Sequence, residues 1–147
     1  MTVYIKNSQF EPFNEVQQHQ QQLEAGIGKG QYGASIIFIG SMRDFNEAHA
    51  VSAMTLEYYP GMTESALELI CKEAKEKWPI LDALIVHRVG DIQPNDSIVL
   101  VAVWSAHRAA AYEANRYIME ALKSRAPFWK KETTATGGQW VEKNTPA

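Results

Sequence analysis

A single cysteine, Cys71, leaves no intrachain disulfide to form, and no Cys/His group has the spacing of a structural zinc site. The fold must therefore rest on its core, and no metal is expected. No apolar run approaches the roughly 18 to 20 residues that a membrane helix needs. Met1 to Lys6 also lacks the apolar region of a signal peptide. Together these absences predict a soluble, cytoplasmic protein that binds no membrane. An excess of positive charge is missing as well. The formal net charge of −3 argues against a general nucleic-acid binder. Gly26, Gly28, Gly30 and Gly33 do not make a GxGxxG turn entering a helix, so they carry no dinucleotide fingerprint.

What is present suits one ordinary globular domain over residues 1–147, with a short flexible tail from about residue 142 and a hydrophobic fraction of 46%. Val3 to Lys6 reads as a strand. Pro12 then opens a helix in which Phe13, Val16, Gln20 and Leu23 share a face and Gln17 to Gln22 form the wet side. Ala34 to Gly40 and Val51 to Tyr59 read as strands flanking a polar turn, with either a hairpin or a hammerhead-like pairing open to them. Met62, Ala66, Ile70, Ala74 and Trp78 recur every four residues, the stripe of an amphipathic helix that Pro79 ends. Leu81 to Val89 and Ser97 to Trp104 are strands around the turn chemistry of Gly90 to Asp96. Ser105 is placed to cap a helix from about Ala106 to Leu122, with Ala110, Ala114, Ile118 and Ala121 on its buried side. An extended Ala126 to Trp129 segment and a Gly137-Gly138 turn follow. The order β-α-β-β-α-β-β-α-β predicts an α+β domain with helices packed on a mixed or antiparallel sheet.

Two places concentrate chemistry. At Trp104-Ser105-Ala106-His107-Arg108 a strand runs into a helix, and two cations sit where the helix dipole disfavours them, as expected if an anion binds there. The competing reading is a solvated helix start. At Pro127-Phe128-Trp129-Lys130-Lys131-Glu132 two aromatics that should pack inward carry two adjacent lysines, with Lys123 and Arg125 just upstream. If these cations converge, their ammonium pKa values fall and proton transfer near neutral pH becomes available. The competing reading is a terminal strand whose lysines point into water. Met42-Arg43-Asp44-Phe45-Asn46 lies on a loop after a strand, where Arg43-Asp44 could also be a surface pair. His87-Arg88, inside a strand, reads as structural. Cys71, mid-helix among apolar neighbours, reads as a buried hydrophobe. His19 and His49 lack partners at metal-ligand spacing.

Several motifs recur in family order: Phe38-Ile39-Gly40-Ser41-Met42-Arg43-Asp44-Phe45-Asn46, Leu56-Glu57-Tyr58-Tyr59-Pro60-Gly61-Met62, His87-Arg88-Val89-Gly90, Ser105-Ala106-His107-Arg108, and Leu122 through Glu132. From about residue 33 to Val141 the chain resembles the molybdopterin synthase large-subunit family. The resemblance implies an α/β-hammerhead fold and a homodimer within a heterotetramer. Its partner is a small ubiquitin-like carrier whose C-terminal Gly-Gly thiocarboxylate delivers sulfur to cyclic pyranopterin monophosphate, giving the molybdopterin dithiolene. Since the carrier brings the sulfur, Cys71 need not, and no cofactor is expected. By the same resemblance Lys123 and Lys130 are catalytic. Ser41, Met42, Arg43, His107, Arg108, Lys123, Lys130, Lys131 and Glu132 are the substrate-binding set, with Arg43, His107 and Arg108 toward the pterin or its phosphate. The chain departs from the family pattern at Ser41-Met42 and at Glu47-Ala48-His49, where the family has a valine and a glycine. The rival from another class is a non-catalytic adaptor that holds a ubiquitin-like tail in the same cationic groove.

Overall fold

The computed structural model describes the backbone of residues 1–46, 49–134 and 137–141, and the side chains of 1–44 and 53–132. The order is β1 (Thr2–Lys6), α1 (Pro12–Ile27), β2 (Ala34–Ser41), β3 (Phe45–Asn46), β4 (His49–Tyr58), α2 (Met62–Lys77), β5 (Ile80–Arg88), β6 (Gly90–Ile92), β7 (Ser97–Ser105), α3 (Arg108–Arg125), β8 (Phe128–Thr134) and β9 (Gly137–Val141). One sheet runs β1-β5-β7-β2, with β1 and β5 parallel and the other pairs antiparallel. The second runs β3-β4-β8-β9, with β6 paired to β4 on the edge away from β8. The architecture is the α+β arrangement the sequence predicts, with a mixed sheet.

β5 and β7 lie inside the first sheet and are buried on both faces, so their side chains sort by strand parity. Ala83, Ile85, Val99, Val101 and Val103 face a core shared with Leu67, Ile70, Cys71 and Ala74 of α2 and Ala114, Ile118 and Leu122 of α3. Leu84, Val86, Leu100, Ala102 and Trp104 point the other way and meet Phe10 and Val16 beneath α1. Two further ties fix α1. His19 lies 2.7 Å from a carboxylate oxygen of Asp82, and the Trp104 indole N–H donates to Gln20. Within the polar glutamine run, Gln20 therefore serves the interior, while Phe13, expected on the buried face, is 68% exposed.

The other differences have local causes. α2 has the expected span, but its buried stripe is Thr63, Leu67, Ile70, Cys71 and Ala74, with Met62 outside. Glu64 closes its start by accepting from the Gly61 N–H. Ser105 does not cap α3. It ends β7, its hydroxyl turned toward the Pro79 carbonyl and its own carbonyl accepting from Gly33 N–H. His107 occupies the N-cap and the helix begins at Arg108. Gly33 is needed there, because a Cβ would meet the Ala106 carbonyl oxygen at 2.5 Å. Gly90 to Ile92, expected as turn, pairs with β4, leaving Gln93 to Asp96 to make the bend. Gly137-Gly138, also expected as a turn, begins β9. The expected flexible tail from about residue 142 lies outside the described residues, as do Glu47 and Ala48 in the loop where the chain departs from the family pattern.

Asn115 is the polar pin of α3. Its side-chain amide, 5% exposed, donates to the carbonyls of Ile36 and Val101, each at 2.9 Å, and so holds the helix to β2 and β7. Removing the amide by Asn115→Ala leaves both acceptors short of a buried donor. The unfolding free energy measured in urea should fall by about 1 to 3 kcal/mol. An unchanged urea midpoint would show that the amide does not hold the helix.

Candidate functional site

The sheets and helices converge at the C-terminal end of α3. This helix packs along β7 and β2 and runs back against β7, so its last turn reaches the end of the sheet where β2 finishes at Ser41 and β5 at Arg88. Lys123 lies in that turn. Arg125, one of the expected converging cations, is instead ion-paired with Glu73 of α2, which also accepts from the Tyr117 hydroxyl. Those two donors, first Arg125 and then Tyr117, hold the Glu73 carboxyl down to about 2. The pair docks α3 on α2 and leaves the guanidinium committed there.

β8 delivers the second lysine. Strand alternation puts Phe128, Lys130 and Glu132 on one face and Trp129 and Lys131 on the other. The burial follows: Glu132 is 4% exposed, whereas Trp129 is 48% exposed and Lys131 also lies outside. The expectation that both aromatics pack inward thus holds for Phe128 alone. Lys130 pairs across the sheet with Leu56, and Glu132 with Met54. The start of β8 is clamped by Thr63, fully buried, whose hydroxyl donates to the Pro127 carbonyl at 2.9 Å and accepts from Tyr59 N–H.

Lys123 and Lys130 are close enough to feel each other. Burial lowers the Lys123 pKa and the neighbouring Lys130 charge lowers it further. Burial lowers that of Lys130 also, partly offset by Glu132. These are the two lysines singled out in the sequence, and their mutual approach favours a proton-handling site over lysines pointing into water. His87, expected to be structural, is 4% exposed and stacks on Phe128 close to Lys123. Sequence reading passed over its position here because a histidine inside a strand gives no signal of what lies across from it.

The loop after β2 approaches the same corner. Met42 is 5% exposed and packs with Met54, Leu56 and Ile92, so its side chain anchors the loop, leaving Ser41 and Arg43 exposed on either side. Hydrogen bonds between Met42 and the Asn95-Asp96 turn fix the backbone there. His107 and Arg108 do not join them. They are exposed at the other end of α3, and Arg108 stands about 22 Å from Lys123 at 1.5 Å of rise per residue. Within one chain the proposed phosphate-binding pair and the lysines cannot serve one small ligand. Among the described residues no group of three or more His, Cys, Asp or Glu is gathered for a metal.

Comparison with known proteins places this geometry. Residues 9–125 match the family model of the MoaE protein. The molybdopterin synthase catalytic subunit of Ralstonia nicotianae is 55% identical over 115 residues, an alignment covering 78% of this chain and 65% of that protein. That of Pseudomonas aeruginosa is 46% identical, covering 97% of this chain and 91% of its own length. The solved structure of the molybdopterin biosynthesis MoaE protein from Burkholderia ambifaria superposes with a TM-score of 0.79 at 44% identity, covering 99% of this chain and 92% of that one. The fold is therefore that of a sulfur-transferring enzyme class of molybdenum cofactor biosynthesis. Within that class, the chain belongs to the MoaE protein family.

Cys71 is fully buried, and burial pushes its thiol up to about 12. The native protein at pH 8 should show no thiol reactive toward an aromatic disulfide reagent, and one per chain after denaturation. Rapid reaction in the folded state would reopen a route for sulfur through this residue.

Proposed function

We propose that the chain is the catalytic subunit of a cytoplasmic molybdopterin synthase. It would transfer sulfur from the C-terminal thiocarboxylate of a small ubiquitin-like carrier to cyclic pyranopterin monophosphate, making the dithiolene. The observation that carries this reading is the pair Lys123 and Lys130, half-buried on two different elements with both ammonium pKa values lowered, in a chain whose single cysteine burial keeps inert. The carrier sulfur bonds to a substrate carbon as a carbon–oxygen bond of that carbon breaks, the oxygen leaving with the opened phosphate in one transfer and as water in the other. Water then adds to the acyl carbon, the acyl–sulfur bond breaks, and the carrier leaves as a carboxylate. Lys123 and Lys130 stabilise the developing oxyanion and move protons in these steps. Glu132, close to Lys130, keeps that ammonium from losing its proton too readily.

Arg43 binds the pterin phosphate by a charge-assisted contact, with Ser41 beside it and Lys131 at the rim. His107 and Arg108 join from a second copy of the chain, because the length of α3 keeps them from the lysines of their own copy. A homodimer with a carrier on each side is thus a requirement of the proposed site. No nucleic acid or membrane enters this reading, and among the described residues no helix is long and apolar enough to cross a bilayer.

Mass spectrometry of wild type with thiocarboxylated carrier and cyclic pyranopterin monophosphate should find dithiolene product. Lys123→Ala and Lys130→Ala should each lose more than about tenfold in rate, a barrier increase above roughly 1.4 kcal/mol, while still binding carrier. Carrier binding with no product from any variant, wild type included, would favour the adaptor.

Mixing subunits tests the second copy. His107→Ala and Lys123→Ala proteins, each expected to be impaired alone, should regain activity when unfolded and refolded together, since one of the two sites in the mixed dimer is then intact. No recovery in a mixed dimer verified by mass would place both residues in one chain's site.

A further inference from the structure

His87 has a setting that the proposed sulfur transfer has not yet used. It is the penultimate residue of β5, and strand parity with Ala83 and Ile85 turns it toward the α2 and α3 side of the sheet, where Lys123 lies. Its ring lies flat on Phe128, with centroids 3.9 Å apart and planes inclined by 15°. Nδ1 is 2.8 Å from the carbonyl oxygen of Arg88. A carbonyl can only accept, so in the neutral ring Nδ1 carries the proton and Nε2 keeps its lone pair. Burial pushes the ring's pKa down to about 4, with the Lys123 ammonium adding to the effect and the Arg88 carbonyl opposing it. Beside Lys123, then, stands a flat neutral ring and not a third cation.

The stack matters because of what Phe128 begins. Lys130 follows two residues later on the same face of β8, so the roll of the strand at Phe128 sets the direction in which Lys130 leaves the backbone. The Thr63 clamp on Pro127 and the pairing of Phe128 with Tyr58 and Lys130 with Leu56 fix the backbone here, and the stack adds a side-chain constraint on the face from which Lys130 projects. A carboxylate at position 87 would pair with Lys123 and raise its pKa, and a permanent cation would repel it. An aliphatic residue would fill space without a flat surface for Phe128.

We infer that His87 is a positioning residue for the sulfur transfer proposed above: its neutral ring, stacked on Phe128 and set beside Lys123, fixes where the two lysine ammonium groups stand relative to each other. The inference rests on that reading for its functional consequence, but its geometric content stands separately. If His87 merely fills the core, the lysines should be indifferent to the planarity of its side chain.

The test uses the full-length protein as His87→Phe, which keeps a stackable ring, and His87→Gln, which keeps a donor for the Arg88 carbonyl and loses the ring. Two quantities are read: the pH titration of isotope-labelled lysine Cε resonances, and kcat and KM for cyclic pyranopterin monophosphate. Wild type and His87→Phe should both show Lys123 and Lys130 titrating below the other lysines, with kcat values within about threefold of each other. In His87→Gln both lysines should move up toward the ordinary range, and kcat should fall by about tenfold or more with KM within twofold, as a misplaced catalytic group predicts. Phe128→Leu, which removes the stack from the other side, should reproduce the lysine shifts and serves if His87→Gln does not fold. Wild-type lysine titration and kcat in folded His87→Gln would overturn the inference, as would His87→Phe impaired as severely as His87→Gln. Absence of dithiolene from wild type would instead sink the sulfur-transfer reading, and the lysine titrations would still decide the positioning.

Discussion

Two ammonium groups brought together away from water repel each other and lose hydration, and the C-terminal end of α3 is organised around that constraint. Other cations are kept from adding to the charge. Arg125 is drawn off to Glu73, Lys131 faces outward by strand alternation, and His87 is held neutral by burial. One carboxylate, Glu132, is buried on the lysine face of β8 and offsets part of the charge at Lys130. The result is a pair of lysines that release protons more readily than surface lysines. A general acid or base operating near neutral pH needs this, and solvated lysines with ordinary pKa values cannot supply it.

The fold provides the rigidity that such a pair demands. The core sheet and the β4-β8 sheet are separate, and they meet where β5 ends. His87 points to the helix side and stacks on the strand of the second sheet. Arg88, one residue on and of opposite parity, holds the β6-β7 bend through the Asp91 carbonyl and Asp96. Two consecutive residues thus tie one sheet to the other in two directions. Nε and Nη1 of Arg88 lack a hydrogen-bond acceptor despite their burial, although Nη1 lies 3.5 Å from the Asp96 carboxylate. An arginine this deeply buried is usually better satisfied, so its place here reflects the need to hold that bend more than an optimised network.

Long, periodic elements were readable in the sequence, and short ones were not. The spans of α1 and α2 and the apolar strands β5 and β7 follow from hydrophobic spacing, because each buries a face large enough to impose its period. The short strand β6 exists only through pairing with the remote β4, and β3 and β9, hairpin partners of the neighbouring β4 and β8, are too short to impose a period of their own. Ser105 misled as a cap because its residue type fits, while the start of α3 is set by Gly33 and Pro79 packing against the end of β7. Of the site, Lys123 and Lys130 were legible. Their convergence depends on α3 and β8 meeting at one corner, and the commitment of Arg125 to Glu73 depends on α2, far off in the chain. Met42 stood beside Arg43 in the motif, but only the packing with Met54, Leu56 and Ile92 separates the anchor from the exposed arginine.

The length of α3 turns a local geometry into an argument about assembly. A straight helix is a ruler, and this one carries cations near both ends, His107 and Arg108 at its start and Lys123 in its last turn. Dipole logic favours cations at the C-terminal end, whereas Arg108 in the first turn, with no acidic residue there, works against the helix that carries it. An exposed cation there costs the helix roughly 0.3 to 1 kcal/mol, which a bound anion would offset, and the chain places no acidic residue of its own in that turn. The proposed two-fold arrangement, bringing the start of one α3 near the end of another, would supply such an anion by sharing one ligand between the copies. In the proposed dimer an isologous contact would build a second equivalent site by the same operation, so that dimer formation and site formation would be one event.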